Sequence, residues 1–150
     1  MAAPITPRLT VDIIIELVDR PGRPIVLIER GSPPFGAAFP GGFVDVGERV
    51  EAAAIREALE ETGLTIELTC LLGLYSDPQR DARGHTVSAV YIAEGTGILK
   101  AGDDAKTAHI YEPDQMPETL VFDHALIRDD YMRYRKDGRL TPVRTGAIEP

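Results

Sequence analysis

Short runs of β-branched and aliphatic residues alternate along the chain with clusters of Pro, Gly and Asp. The first apolar run, at residues 9–18, predicts a strand that the turn-forming residues 19–22 bring to an end. Residues 25–29 predict its hairpin partner, which stops at two prolines because proline offers no backbone donor to a sheet. Further extended segments are predicted at residues 39–44, 66–75, 87–93 and 108–112.

Two segments have helical character. Residues 49–62 are rich in Ala, Glu and Leu, and Gly63 stands where a helix favours a left-handed C-terminal residue. Residues 123–136 predict a second helix, with Asp123 as its N-cap and Gly138 just beyond its end. Strands, a central helix, more strands and a closing helix predict a mixed sheet packed with helices, in the α/β or α+β class.

Length and composition fit one globular domain. A single domain is expected over residues 1–150, with 141–150 as a loose tail. The 43% hydrophobic and 27% charged residues exclude a wholly disordered, collagen-like or disulfide-scaffold protein. Cys70 is the only cysteine, so it can form neither an internal disulfide nor a cysteine zinc cage, as is typical of a reducing compartment.

The charge balance narrows the choice of partners. A formal net charge of −8 argues against binding long nucleic acids, because that mode needs a clustered basic face. Most of the 16 basic residues are Arg, whose guanidinium suits a small phosphorylated ligand. No apolar run approaches the length needed to cross a bilayer, and the first ten residues lack a targeting pattern. We therefore expect a cytoplasmic protein without a membrane partner.

The predicted first helix carries three glutamates on one side. At about 100° per residue, Glu57, Glu60 and Glu61 fall within about a third of the helix circumference. Ile55 and Leu59 fall on the opposite side, which we therefore expect to pack in the core. The pattern predicts a cluster of three carboxylates that faces away from the core.

The negative charges of this cluster favour the binding of a positive charge. Like charges on one helical turn repel, and two of the three lie near the negative end of the helix dipole. A hard divalent cation, Mg²⁺ or Mn²⁺, offsets this repulsion, whereas the lack of convergent Cys and His disfavours zinc. Arg56, one turn before Glu60, can orient a carboxylate through a salt bridge. The alternative interpretation is a solvated acidic helix face.

Glycines, acidic residues and one arginine occupy seven fixed positions over residues 42–64. These positions are Gly42, Glu48, Arg56, Glu57, Glu60, Glu61 and Gly63. The pattern resembles the Nudix box, the signature of Nudix hydrolases. The resemblance implies a Nudix-type α/β/α sandwich with a mixed sheet. It also implies hydrolysis of nucleoside diphosphates linked to another group, with Mg²⁺ or Mn²⁺ held by the glutamates of the box.

The same resemblance assigns roles within the box. Glu57 and Glu61 would be the principal metal ligands, and Glu60 would be a ligand through one ion or through water. The carbonyl of Gly41 would add another ligand. Bound cations would neutralise the diphosphate, activate a water molecule and stabilise the leaving phosphate.

Other positions keep two interpretations. Glu48 would join the outer metal shell or form a salt bridge with Arg56, which orients the catalytic glutamates without touching substrate. The group that removes the proton of the attacking water is a box glutamate or an acid on a later loop, which makes Asp103 and Asp104 candidates. The alternative for both aspartates is that they are solvated loop acids.

The flanks of the box are similar to those of ADP-ribose pyrophosphatases. Pro78, about fifteen residues beyond the box, and the segment 122–124 carry this likeness. It implies cleavage of ADP-ribose, or a related ADP-linked compound, to AMP and a sugar phosphate, by a homodimer. One alternative is a house-cleaning hydrolase of nucleoside triphosphates. Another is a catalytically inactive Nudix domain that senses a nucleotide.

If the protein is similar to ADP-ribose pyrophosphatases in function, four residues are candidates for substrate binding. Arg30, Arg80 and Arg83 would contact phosphate or ribose oxygens, since guanidinium groups suit such acceptors. Phe35 would stack on adenine or fill the core. The alternative for Arg80 and Arg83 is a polar hairpin loop, and we expect His124 to serve structure rather than catalysis.

Overall fold

The computed structural model describes residues 1–100 and 107–146, which form seven strands and two α-helices. The strands are β1 Arg8–Leu17, β2 Ile25–Glu29, β3 Ala37–Ala38, β4 Gly41–Phe43, β5 Thr65–Tyr75, β6 Thr86–Thr96 and β7 Thr107–Tyr111. The helices are α1 Val50–Thr62 and α2 His124–Asp137. No helix of the described residues has the length and apolar character needed to cross a membrane.

The strands form one mixed sheet, as predicted. β1 pairs in parallel with β6 over ten residues, and it pairs antiparallel with β2 and β4. β5 pairs antiparallel with β6, while β3 and β7 both pair with β2. The extended segment predicted at residues 39–44 contains only the short strand β4, and β3 lies just before this segment and pairs with β2. Because β4 pairs with β1, its glycines lie beside the middle of the sheet.

A helix covers each face of the sheet. Residues from Thr10 to Leu17 are all buried, because β1 is central and both of its faces are covered. Ile13 packs in the core under α1, whereas its neighbour Ile14 packs with Ile127 and Tyr131 of α2. This arrangement confirms the α/β/α sandwich.

One prediction about α1 is wrong. Ile55 and Leu59 do not pack in the core but are 41% and 51% exposed. The helix instead buries Ala53, Ala54 and Ala58, none of which has any exposed surface. Their small side chains let the helix axis lie close to the sheet. The buried stripe therefore adjoins the acidic stripe, so the glutamates lie at the edge of the core.

The segment after α2 is held to the body of the protein, where a loose tail was predicted. The backbone N–H of Thr141 donates to the carbonyl of Leu72 at 3.0 Å. Arg144 donates through Nη1 and Nη2 to the two carboxylate oxygens of Asp130, both at 2.8 Å. A bidentate ion pair of this kind fixes geometry as well as charge, so the segment is tied to α2 at Arg144.

Candidate active site

The loop before α1 and the glycine after it fix the position of the helix. In the loop, the N–H of Glu48 donates to the carbonyl of Asp45 at 3.0 Å. Beyond the helix, Gly63 has φ of 75°, and its N–H donates to the carbonyl of Leu59 at 2.9 Å. Glycine adopts this left-handed conformation at the least cost. Both ends of α1 are thereby held, together with the glutamates of its last two turns.

Arg56 connects the acidic residues of the box. Its Nε and Nη2 donate to the two oxygens of Glu48 at 2.8 and 2.9 Å, and its Nη1 donates to Glu57 at 2.9 Å. Nη2 also donates to the carbonyl of Phe43 at 3.1 Å. The hydrogen bonds from Arg56 lower the pKa of Glu48 to about 2. Of the two roles implied for Glu48, the structure therefore contains the salt bridge.

The three carboxylates predicted to lie together are divided between the cleft and the solvent. Glu57 and Glu61 line a cleft between the sheet and the two helices, and Glu61 is buried. The side chain of Glu60 is 58% exposed and lies beyond the cleft lining, 3.5 Å from Arg56. Its position on the solvent side follows from the burial of the alanine stripe. Glu60 stays a predicted ligand that the structure does not bring to the other two.

Gly42 makes room for Glu57. A Cβ atom at this position would lie 2.4 Å from Oε1 of Glu57, well inside van der Waals contact. At Gly41, a Cβ atom would lie 2.1 Å from the carbonyl oxygen of Val11 in β1. Gly41 is therefore required by the close approach of the β1 backbone, whereas Gly42 leaves the space that the carboxylate of Glu57 occupies.

The donor set fits a hard divalent cation. Within residues 1–100 and 107–146, no three His, Cys, Asp or Glu side chains converge closely enough to enclose an ion alone. Magnesium, however, is usually held by one or two carboxylates together with water and substrate phosphate oxygens. Glu57 and Glu61 supply two carboxylates in the cleft, and the backbone of Gly41 lines it beside them.

The cleft has a volume of about 370 Å³ and gathers most of the predicted residues. Those that line it are Gly41, Arg56, Glu57, Glu61, Arg30, Arg80 and Arg83. Phe35 is not among them. It is 68% exposed on a loop that closes through a 2.9 Å hydrogen bond from the N–H of Arg30 to the carbonyl of Gly36, so Phe35 faces outward. Asp103 and Asp104 lie outside the described residues.

Arg80 lines the cleft but is bonded into its wall. Its Nε and Nη2 donate to the two oxygens of Asp123 at 2.9 and 2.7 Å, and its Nη1 donates to Thr86 at 2.8 Å. Although burial opposes its charged form, the bonds to Asp123 raise the pKa of Arg80. Asp123 precedes α2 as predicted, but its side chain makes no cap hydrogen bond because Arg80 binds both oxygens.

A buried polar network that sequence reasoning missed includes Asp12 and His124, which both line the cleft. His124 accepts a 3.1 Å hydrogen bond at Nδ1 from the backbone N–H of Phe39, so its proton is on Nε2. This Nε2 lies 3.4 Å from Oδ1 of Asp12, whose other oxygen accepts a hydrogen bond from Ser88. The signal in the sequence was a charged residue inside the apolar run of β1, since buried charges are rare unless paired.

A second missed residue is Phe122, one of the phenylalanines that line the cleft. The guanidinium carbons of Arg30 and Arg83 each lie 5.1 Å from the centroid of its ring. Arg83 also forms a bidentate pair with Asp81, at 3.0 and 2.9 Å. Burial alone would raise the pKa of Asp81, but these hydrogen bonds hold it below the usual value.

Comparison with known proteins identifies relatives that share most of this chain. The NUDIX domain model matches residues 6–131. An ADP-ribose pyrophosphatase of Methanocaldococcus jannaschii is 48% identical over 132 residues, which is 86% of this chain and 75% of that protein. A putative 8-oxo-dGTP diphosphatase of Bacillus subtilis is 30% identical over 126 residues, covering 83% of this chain and 81% of that protein.

Solved structures agree with the sequence relatives. A MutT/nudix family protein from Enterococcus faecalis superposes with a TM-score of 0.73 at 29% identity, covering 91% of this chain and 65% of that one. The NUDIX domain of Shewanella oneidensis NrtR, complexed with ADP ribose, gives 0.71 at 25% identity, covering 87% and 90%. With Glu57 and Glu61 of α1 in the cleft and the family model spanning residues 6–131, the chain belongs to the NUDIX domain family.

Proposed function

We propose that this protein is a metal-dependent Nudix hydrolase that cleaves the diphosphate of ADP-ribose, or of a related ADP-linked compound, to AMP and a sugar phosphate. The observation that carries the proposal is the content of one cleft, where the carboxylates of Glu57 and Glu61 meet a group of arginines. The 48% identity to an ADP-ribose pyrophosphatase supports the choice of substrate.

The residues of the cleft have two roles in such a reaction: some would hold the cation, and others would bind the phosphates. Glu57 and Glu61, with the carbonyl of Gly41, would hold the divalent cation, which when bound neutralises phosphate charge and activates water. Arg56 holds Glu57 in place through its 2.9 Å hydrogen bond. Arg30 and Arg83 offer guanidinium donors to phosphate oxygens. The chain therefore supplies both a cation site and an anion site in one cavity.

Several finer assignments complete the proposal. The cation is Mg²⁺ or Mn²⁺, because carboxylate and carbonyl oxygens suit hard ions. The base is a box glutamate or one of Asp103 and Asp104. We infer that the protein works in the cytoplasm as a homodimer, with a nucleotide as its small-molecule partner. The lone Cys70 is in keeping with a reducing compartment, and the likeness to ADP-ribose pyrophosphatases favours the dimer.

Product analysis tests the choice of substrate. ADP-ribose, a dinucleoside diphosphate and nucleoside triphosphates are incubated with the protein and Mg²⁺ in parallel, and the products are separated by chromatography. We expect AMP and ribose 5-phosphate from ADP-ribose, at the highest kcat/KM of the set. Rapid triphosphate turnover beside negligible ADP-ribose turnover would reject this function.

Two other candidates each have an observation in their favour. The relative named as a putative 8-oxo-dGTP diphosphatase, at 30% identity, favours a triphosphate hydrolase, which the same assay detects. The structure of a NUDIX domain complexed with ADP ribose supports binding of this compound, which a sensing domain would share without turnover. The variant Glu61→Gln separates this last case, because a sensing domain has no turnover for the substitution to abolish.

A further inference from the structure

Two positive side chains meet one aromatic ring at the cleft. The guanidinium carbons of Arg30 and Arg83 are each 5.1 Å from the ring centroid of Phe122, within the range of cation–π attraction. The pKa of Arg30 is lowered, first by burial and then by the neighbouring charge of Arg83. Both arginines line the same cleft, so an anion bound there would offset the repulsion between their charges.

Phe122 occupies a backbone conformation that bulky residues rarely adopt. Its φ is +56°, in the left-handed region, where Gly and Asn are far more common. Its neighbours hold it there: the N–H of Val121 donates to the carbonyl of Ala37 at 3.0 Å, and Asp123 is bonded to Arg80 at 2.7 Å. A strained backbone that keeps a phenyl ring points to a role for the ring itself.

Each arginine is fixed by one edge of its guanidinium group. Arg30 donates through Nε to the carbonyl of Pro34 at 2.8 Å, and its Nη2 lies 3.5 Å from two further acceptors of the same loop. Arg83 donates through Nε and Nη2 to Asp81. Among the described residues, Nη1 of neither arginine makes a hydrogen bond to the protein. Both guanidinium groups thus keep donors for a ligand.

We propose that Phe122 is a positioning residue, whose ring holds Arg30 and Arg83 together as a two-guanidinium site for the diphosphate of the substrate. A diphosphate matches the site because it carries charge on adjacent groups and presents several acceptor oxygens to planar donors. The identity of the diphosphate as ADP-ribose rests on the proposed function, whereas the pairing of the arginines rests on the geometry alone.

Substitution of the ring tests the proposal through kinetics. Phe122→Leu keeps an apolar side chain but removes the aromatic face, so we expect the KM for ADP-ribose to rise about fivefold or more with kcat within about twofold. Phe122→Tyr keeps the face and should retain the wild-type KM. A fall in kcat at unchanged KM for Phe122→Leu, or an equal rise in KM for Phe122→Tyr, would overturn the proposal.

Anion binding separates this site from the proposed reaction. Inorganic pyrophosphate is titrated calorimetrically without divalent cations into the wild type, Phe122→Leu and Phe122→Asn, the last of which suits a left-handed backbone and therefore guards against misfolding. We expect weaker binding in both variants, by about fivefold or more. Wild-type affinity in a folded variant would overturn the site. A wild type that binds pyrophosphate through this site but leaves ADP-ribose intact would instead reject only the proposed function.

Discussion

Gly42 shows how a single missing side chain shapes the site. A methyl group at this position would lie 2.4 Å from Oε1 of Glu57 and would push the carboxylate aside. Because only the end of a flexible side chain must move, we expect Gly42→Ala to remain folded while kcat/KM for ADP-ribose falls about tenfold or more. Gly146→Ala is the matched control, since no atom lies within 4 Å of a Cβ atom there. Unchanged kcat/KM in Gly42→Ala would contradict this role.

At the residue scale, the sequence predicted the box far better than the rest of the cleft. Residues four apart lie on the same face of a helix, so the spacing of Glu57 and Glu61 is enough to predict that their carboxylates lie side by side. Asp12 has no partner nearby in sequence, since Ser88 and His124 reach it only through the sheet and α2. The left-handed φ of Phe122 is imposed by contacts from distant segments, which no local pattern records.

At the element scale, α1 shows why its buried face was predicted wrongly. The larger apolar residues Ile55 and Leu59 indicated a core face, but the alanines allow the closer approach to the sheet. The end of β6 was also predicted wrongly: the strand continues to Thr96, although the apolar pattern predicted its end at residue 93. Gly95 interrupts the strand pattern, yet a Cβ atom there would lie 2.7 Å from Ile15, so packing requires it.

Neighbouring substitutions on α1 test which face is buried. Ala54 has no exposed surface, so Ala54→Leu should overpack the contact with the sheet and lower the free energy of unfolding by about 1–3 kcal/mol. Ile55 is 41% exposed, so Ile55→Ala should cost less than about 1 kcal/mol. Urea unfolding of both variants measures the difference. The reverse order of the two losses would mean that the helix is rotated.

The hydrogen bond between Tyr131 of α2 and Glu16 of β1 predicts that the stability of the protein falls at alkaline pH. Tyr131 is fully buried and donates to Glu16 at 2.6 Å, and its pKa is raised first by burial and then by that carboxylate. A raised pKa means that the stabilisation is fully present below the ordinary value of about 10 and is lost as the pH rises above it.

Tyr131→Phe removes this titrating group. At pH 7 the variant should lose about 1–3 kcal/mol of unfolding free energy, because Glu16 loses a buried donor. Between pH 8 and pH 11, wild-type stability should fall more steeply than that of the variant. Urea unfolding across this range gives both curves, and parallel curves would contradict the assignment.

At the scale of the whole molecule, the segment after α2 links α2 to β5. Asp130 accepts from Arg144 and also from the hydroxyl of Tyr75 at 2.7 Å, so it links the tail, α2 and β5. Arg144→Ala leaves this buried carboxylate with fewer donors, and we expect a loss of about 1–3 kcal/mol in unfolding free energy. Arg139→Ala, at a side chain that is 72% exposed, should change stability by less than about 0.5 kcal/mol. Equal losses would show that the tail contributes nothing specific.

The cleft brings acidic and basic side chains together in an acidic protein. The net charge is −8, yet the cavity that holds Glu57 and Glu61 also gathers Arg30, Arg80 and Arg83. A cation bound by the carboxylates and a diphosphate bound by the arginines would neutralise each other there. Binding of the cation and binding of the diphosphate ester are therefore expected to reinforce each other.

Titration calorimetry of Mg²⁺ tests whether Glu57 and Glu61 hold a divalent cation beside a diphosphate ester. The ion is titrated into the wild type and into the folded double variant Glu57→Gln/Glu61→Gln, each in the presence of a non-hydrolysable ADP-ribose analogue. We expect saturable uptake of Mg²⁺ by the wild type and loss of this uptake in the double variant. The same uptake by both proteins, or none by the wild type, would contradict a cation site at Glu57 and Glu61.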